Sequence, residues 1–152
     1  MLIRVVVGIS CMDSIIVGTC AIGWLFVLEA AYHDYTEMEI PDIINAGIWA
    51  ILAFLSLSEP LLAVTGAFAF TLILGLNSAL VVVKQSPILS WGDVLLIPPV
   101  AGIMSIIPAT IFVLMIILMI AFYRGYKKEE PLAPYVLAAY SVFLICIIKS
   151  SF

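Results

Sequence analysis

Residues 94–123 read VLLIPPVAGIMSIIPATIFVLMIILMIAFY, thirty consecutive positions without a charge. As a single helix this run would be about 45 Å long at about 1.5 Å per residue, whereas about 20 residues already cross the hydrocarbon core of a bilayer. It is too long for one straight crossing and too apolar for a segment that faces water. Proline lacks a backbone N–H and clashes with the preceding turn, so it ends or bends helices. Pro98, Pro99 and Pro108 therefore divide the run. The reading is two helices, about 94–107 and 109–123, with a turn near Ile107 and Pro108. Pro98 and Pro99 are expected to bend or loosen the first of them.

Charges set the boundaries on either side, because a charge at mid-bilayer costs at least ~2.5 kcal/mol on insertion scales. Upstream, uncharged stretches predict helices at about 13–32, 43–58 and 61–83; downstream, one at about 134–148. Polar segments at 33–42, 84–93 and 124–131 separate them. Ser58-Glu59-Pro60 reads as a tight reversal, with Ser58 as N-cap and Pro60 in the first helical turn. The fold class is all-α, a polytopic membrane protein of about six transmembrane helices in a single domain, residues 1–152.

Composition agrees. The chain is 65% apolar and 11% charged, with a net charge of −4, and its mean hydropathy is +1.29. Soluble domains carry roughly 25% charged residues. Six Lys and Arg, scattered along the chain, make no basic face for nucleic acid. Cys11, Cys20 and Cys146 form no CxxC pair and lie in apolar stretches, which predicts neither a zinc module nor a disulfide framework. No metal or organic cofactor is expected. The N-terminal segment, with Arg4 and Asp13 around its apolar run, reads as retained rather than as a cleavable signal. Six crossings put the three polar segments on one face. That face carries Lys84, Arg124, Lys127 and Lys128 against Arg4 and Lys149 opposite, which makes it cytoplasmic by the positive-inside rule.

Five of the ten acids lie between Glu29 and Asp42, and residues 33–42 contain four acids and no Lys or Arg. Glu37 and Glu39 read as a solvated loop. Asp34 ends one apolar helix and Asp93 starts another, where its carboxylate could also cap the helix. Both are placed on the same membrane face. If packing brings them together, two carboxylates sharing one proton meet the requirement of an aspartyl protease: the ionised one takes a proton from water and the protonated one polarises the peptide carbonyl. Periodicity alone does not show that they meet. His33 reads as a surface or interface residue, and Trp24, Trp49 and Trp91 as interface anchors or lipid-facing bulk. Ala63-x-x-x-Ala67 and Gly75-x-x-x-Ala79 are small-residue patterns that permit close helix packing.

The segment Asp34-Tyr-Thr-Glu-Met-Glu-Ile40-Pro41-Asp42 resembles the first signature of the type IV prepilin peptidases and archaeal preflagellin peptidases, an Asp followed six residues later by Ile-Pro-Asn or Ile-Pro-Asp. Ser90-Trp91-Gly92-Asp93 resembles their second signature, GxGD. Pro131-Leu-Ala-Pro134-Tyr-Val-Leu-Ala-Ala139 is similar to the family's C-terminal Pro-x-x-Pro-Phe run. The three fall in the family's order and cover most of the chain.

The resemblance implies a membrane-embedded aspartyl endopeptidase, with Asp34 and Asp93 as the catalytic pair and Pro41 and Gly92 as supporting motif residues. Such enzymes remove a short basic leader from pilin-like or flagellin-like precursors at the cytoplasmic face. Glu37, Glu39 and Asp42 could attract the leader's Lys or Arg, an attraction that salt screens. Gly92 is expected to supply a backbone with unusual φ/ψ. The sequence departs from the family pattern at Ser90, which replaces the first glycine, at Trp91 in the variable position and at Leu95, where a Lys is frequent. It also lacks the four-cysteine domain of many bacterial members, and with it any basis for their N-methyltransferase activity. The expected partners are such precursors and the lipid bilayer; the oligomeric state stays open. The rival readings are a small proton- or cation-coupled transporter, with Asp34, Asp93 and Glu29 as intramembrane sites, and a non-catalytic helical scaffold.

Overall fold

The computed structural model describes residues 14–84, 89–104, 106–122 and 131–151. Every regular element among them is a helix: α1 Ser14–Glu37, α2 Asp42–Ser56, α3 Pro60–Lys84, α4 Trp91–Ile103, α5 Ile106–Phe122 and α6 Ala133–Ser151. The expected N-terminal reading (residues 1–13) and the loop charges Arg124, Lys127 and Lys128 lie outside the described residues.

Three boundaries differ from expectation. The helix predicted to end near residue 32 continues through the polar stretch to Glu37. Hydropathy marks where the chain leaves an apolar environment, whereas helix formation depends on local bonds that survive in water. Here the Thr36 hydroxyl donates to the Tyr32 carbonyl at 2.8 Å, and His33 sits one turn from both Glu29 and Glu37, at 3.6 and 3.2 Å. Ser58 is not an N-cap of α3; its hydroxyl donates backward to the Leu55 carbonyl at 2.9 Å, closing α2. The break in the long apolar run falls at Met104, whose ψ of 143° leaves the helical region. Pro108 therefore lies in the first turn of α5, where a missing N–H costs nothing.

Pairings across the bundle fix the topology. α1 and α6 run antiparallel, joined by the Trp24 indole donating to the Ser141 hydroxyl at 2.8 Å and by the Tyr140 hydroxyl donating to the Cys20 carbonyl at 3.0 Å. α1 and α2 form a hairpin, with Phe26 lying over Gly47 and Ile51 near Gly23. α3 and α4 are antiparallel and meet at two glycines: a Cβ on Gly102 would come within 3.0 Å of the Gly66 Cα. The small-residue patterns expected to serve close packing are not the ones used. Ala63, Ala67, Gly75 and Ala79 are exposed, and a Cβ on Gly75 would meet nothing within 4 Å.

α4 is the central helix. Asp93, Val94 and every residue from Leu96 to Ile103 are buried, both prolines included. It stays helical through Pro98 and Pro99. Proline 99 cannot donate to the Leu95 carbonyl four residues earlier, and the Trp49 indole on α2 takes its place at 3.0 Å. Trp49 and Trp24 are thus half-buried donors between helices, while Trp91 is exposed as expected.

Among the described residues two helices, Ile16–Glu37 and Pro60–Ala79 within α1 and α3, are long and apolar enough to cross a membrane. Little of either window is buried inside the molecule, 28% and 22%.

Candidate functional site

The helix directions place one cluster of termini together. The C-terminus of α1, the N-termini of α2, α4 and α6 and the C-terminus of α3 all lie at the same end of the bundle. Asp34 is in the last turn of α1 and Asp93 in the first turn of α4. Both are buried, at 5% and 1% exposure, which is unusual for carboxylates unless they are paired or hydrogen-bonded.

Each carboxylate has a backbone partner. Asp34 Oδ2 accepts the Ala133 N–H at 2.8 Å, across 99 residues of sequence. Ala133 is the first residue of α6, so the carboxylate sits at the positive end of that helix and satisfies one of its orphan donors. The Pro131–Ala139 segment singled out by its resemblance is the segment that receives Asp34. Asp93 closes a capping box: Ser90 Oγ accepts the Asp93 N–H, and Asp93 Oδ2 accepts the Ser90 N–H, both at 3.1 Å. Ser90, a departure from the glycine of the motif, thereby has a structural task. α6 packs against both α1 and α4, the helices that carry the two aspartates.

The connection from α1 to α2 shapes the space around them. Met38 closes α1 in the left-handed region, φ 58°, with its N–H donating to the Asp34 carbonyl at 3.1 Å. The chain then turns so that Ile40 is buried against Gly92: a Cβ there would lie 3.2 Å from the Ile40 Cβ. Gly92 itself has helical backbone. The expectation of unusual φ/ψ is corrected to a steric one: the absent side chain lets Ile40 seat beside Asp93. Pro41 is the N-cap residue of α2.

Glu37, Glu39 and Asp42 are exposed around this end. Glu37 is in the last turn of α1 rather than in a loop and meets His33 Nδ1 at 3.2 Å. Asp42 opens α2, where a negative charge also favours the helix. Among the described residues no group of three or more His, Cys, Asp or Glu could hold a metal ion.

Two residues of this end were not singled out by the sequence. Asn77 Oδ1 on α3 accepts the Leu89 N–H at 3.2 Å and anchors the chain just ahead of the Ser90 cap. Asn45, on α2, is 2% exposed, and neither atom of its carboxamide has a hydrogen-bond partner. A lone Asn within an apolar helix becomes informative only when the face it occupies is known.

No family model matches this sequence, and no curated protein or solved structure was found similar to it.

Proposed function

We propose that the chain is a polytopic membrane aspartyl endopeptidase that removes a basic leader from pilin-like or flagellin-like precursors, with Asp34 and Asp93 as its catalytic pair. The observation that carries this reading is the burial of two carboxylates from distant parts of the sequence at one end of the bundle, on helices that share α6 as a neighbour. A backbone N–H on one oxygen of each orients the group, as a general acid or base requires. The exposed Glu37, Glu39 and Asp42 give the same end the charge that a Lys- or Arg-bearing leader would meet.

The proposed setting is a bilayer crossed by all six helices, with the aspartates at the cytoplasmic boundary. Its support is the apolar, outward-facing surface of α1 and α3, since monomeric soluble proteins rarely expose large contiguous apolar patches. The transporter reading gains no support, because Asp34 and Asp93 both lie in terminal turns rather than at mid-depth.

A second reading, a non-catalytic scaffold, is favoured by the capping roles: each aspartate already satisfies a helix terminus. The test separates the two. Asn at either position keeps a carbonyl oxygen able to accept the same N–H, so Asp34→Asn and Asp93→Asn should fold and express like the wild type. The peptidase reading expects both to abolish leader removal from a co-expressed basic-leader precursor, followed by gel shift. A precursor left uncut by the wild type, or cut equally by all three proteins, rejects it.

A further inference from the structure

A buried amide with nothing to bond to is costly, about 1–3 kcal/mol for each unsatisfied group, and such groups are few in native structures. Asn45 carries two of them, so its position matters.

On α2, residues 45, 49 and 52 share one face, because 3.6 residues make a turn. Trp49 on that face bonds to the Leu95 carbonyl, and Leu52 lies against Gly102. Leu52 also meets Gly66 on α3 and Trp49 the Phe70 ring there, so this face looks into the seam between α3 and α4, and the pairings 49 with 95 and 52 with 102 show that α2 and α4 run parallel. One turn back from Trp49, Asn45 falls level with the first turn of α4, where Gly92 and Asp93 are. The Asn77 anchor, the Ser90 cap and Ile40 on Gly92 hold that turn from other sides. Among the described residues nothing bonds the Asn45 carboxamide.

We infer that Asn45, enclosed in this state, binds the backbone of an extended peptide segment admitted beside Asp93, through paired hydrogen bonds from its carboxamide to the N–H and C=O of one residue. This rests on the peptidase reading and adds which part of the substrate is held and by what. The chemistry is complementary. A carboxamide offers an acceptor and a donor side by side, the complement of the N–H and C=O that one residue of an extended chain turns to the same side. A substrate stretched out for cleavage at the lipid boundary has lost its helical bonds, and each unpaired backbone group there costs several kcal/mol. Asn45 and the stretched peptide each supply what the other lacks. Such bonds form with the bound substrate and persist in the transition state, so they act on binding rather than on the chemical step.

The experiment compares wild type, Asn45→Leu and Asn45→Gln in detergent micelles with a basic-leader precursor, measuring KM, kcat and thermal midpoint. Leu matches Asn in size and removes the orphan amide. Asn45→Leu should melt no lower than wild type yet raise KM about tenfold with kcat little changed, the pattern of lost uniform binding. Asn45→Gln, which keeps the carboxamide, should recover part of the affinity. An unchanged KM in Asn45→Leu overturns the inference while leaving the peptidase reading intact, as does a fall in kcat alone. A wild type that does not cleave the precursor overturns the reading, and the inference with it.

Discussion

Pro99 removes a hydrogen bond from the middle of α4, and Trp49 replaces it from another helix. The Leu95 carbonyl would otherwise be an orphan acceptor in a helix that is buried along nearly its whole length. Trp49→Phe keeps the ring but deletes the donor, and should destabilise the protein by about 1–3 kcal/mol. If the cause is the proline, the loss depends on it. In Pro99→Ala the residue 99 N–H can satisfy the Leu95 carbonyl, so adding Trp49→Phe to that background should cost clearly less. Thermal or denaturant unfolding of the four proteins of this cycle measures the coupling; additive effects would show that the indole bond is incidental. Trp49, Asn45 and Asn77 share one reason for having been illegible in the sequence. Each is a single polar group in an apolar run: the tasks of Trp49 and Asn77 are defined by partners outside their own helices, 46 and 12 residues away, and Asn45 stands out only by the face it occupies.

At the scale of elements, the number and order of helices were legible and the contacts between them were not. Charge and proline punctuate the chain because both are expensive in an apolar helix, so the six segments fall close to where they were expected. Their ends shift where local bonding outlasts hydropathy, as in the polar last turns of α1. The aspartates could be assigned to helix termini from the sequence, and a capping role for Asp93 in its own first turn anticipated, but that Asp34 reaches the N-terminus of α6 could not. Close packing depends on two surfaces at once, which is why Gly66 and Gly102 form the α3–α4 contact while the small-residue patterns on α3 face outward. The two glycines should respond differently. A Cβ on Gly102 meets Gly66 backbone at 3.0 Å as well as both Leu52 methyls at 2.9 Å, so Gly102→Ala must push helices apart and should cost about 1–3 kcal/mol. On Gly66 the nearest atom is a Leu52 methyl at 2.7 Å, while the Gly102 Cα is 3.5 Å away. That side chain can rotate aside, and Gly66→Ala should be the milder change in the same melting experiment.

For the whole molecule, helix length and burial vary together. The short helices, α2 with 15 residues and α4 with 13, extend only about 22 and 20 Å, less than the ~30 Å hydrocarbon thickness. Neighbours enclose α4 almost completely, and α2 along one face only, since Ile43 and Phe54 are exposed. α1 and α3, with 24 and 25 residues, exceed that thickness and turn apolar side chains such as Leu25, Val64 and Phe68 outward. A bilayer would be matched by the longer helices, with α4 sheltered among them. On this arrangement the α1–α2 turn and the α2–α3 reversal open on opposite sides of the membrane, although α2 alone separates them. Glu39 and Glu59 are exposed at these two sites and serve as reporters. In a background with Cys11, Cys20 and Cys146 replaced by Ala, Glu39→Cys should react with a membrane-impermeant maleimide only in inverted vesicles, and Glu59→Cys only in right-side-out ones. Labelling of both from one side would mean that α2 does not cross, which would overturn the proposed bilayer setting of Asp34 and Asp93.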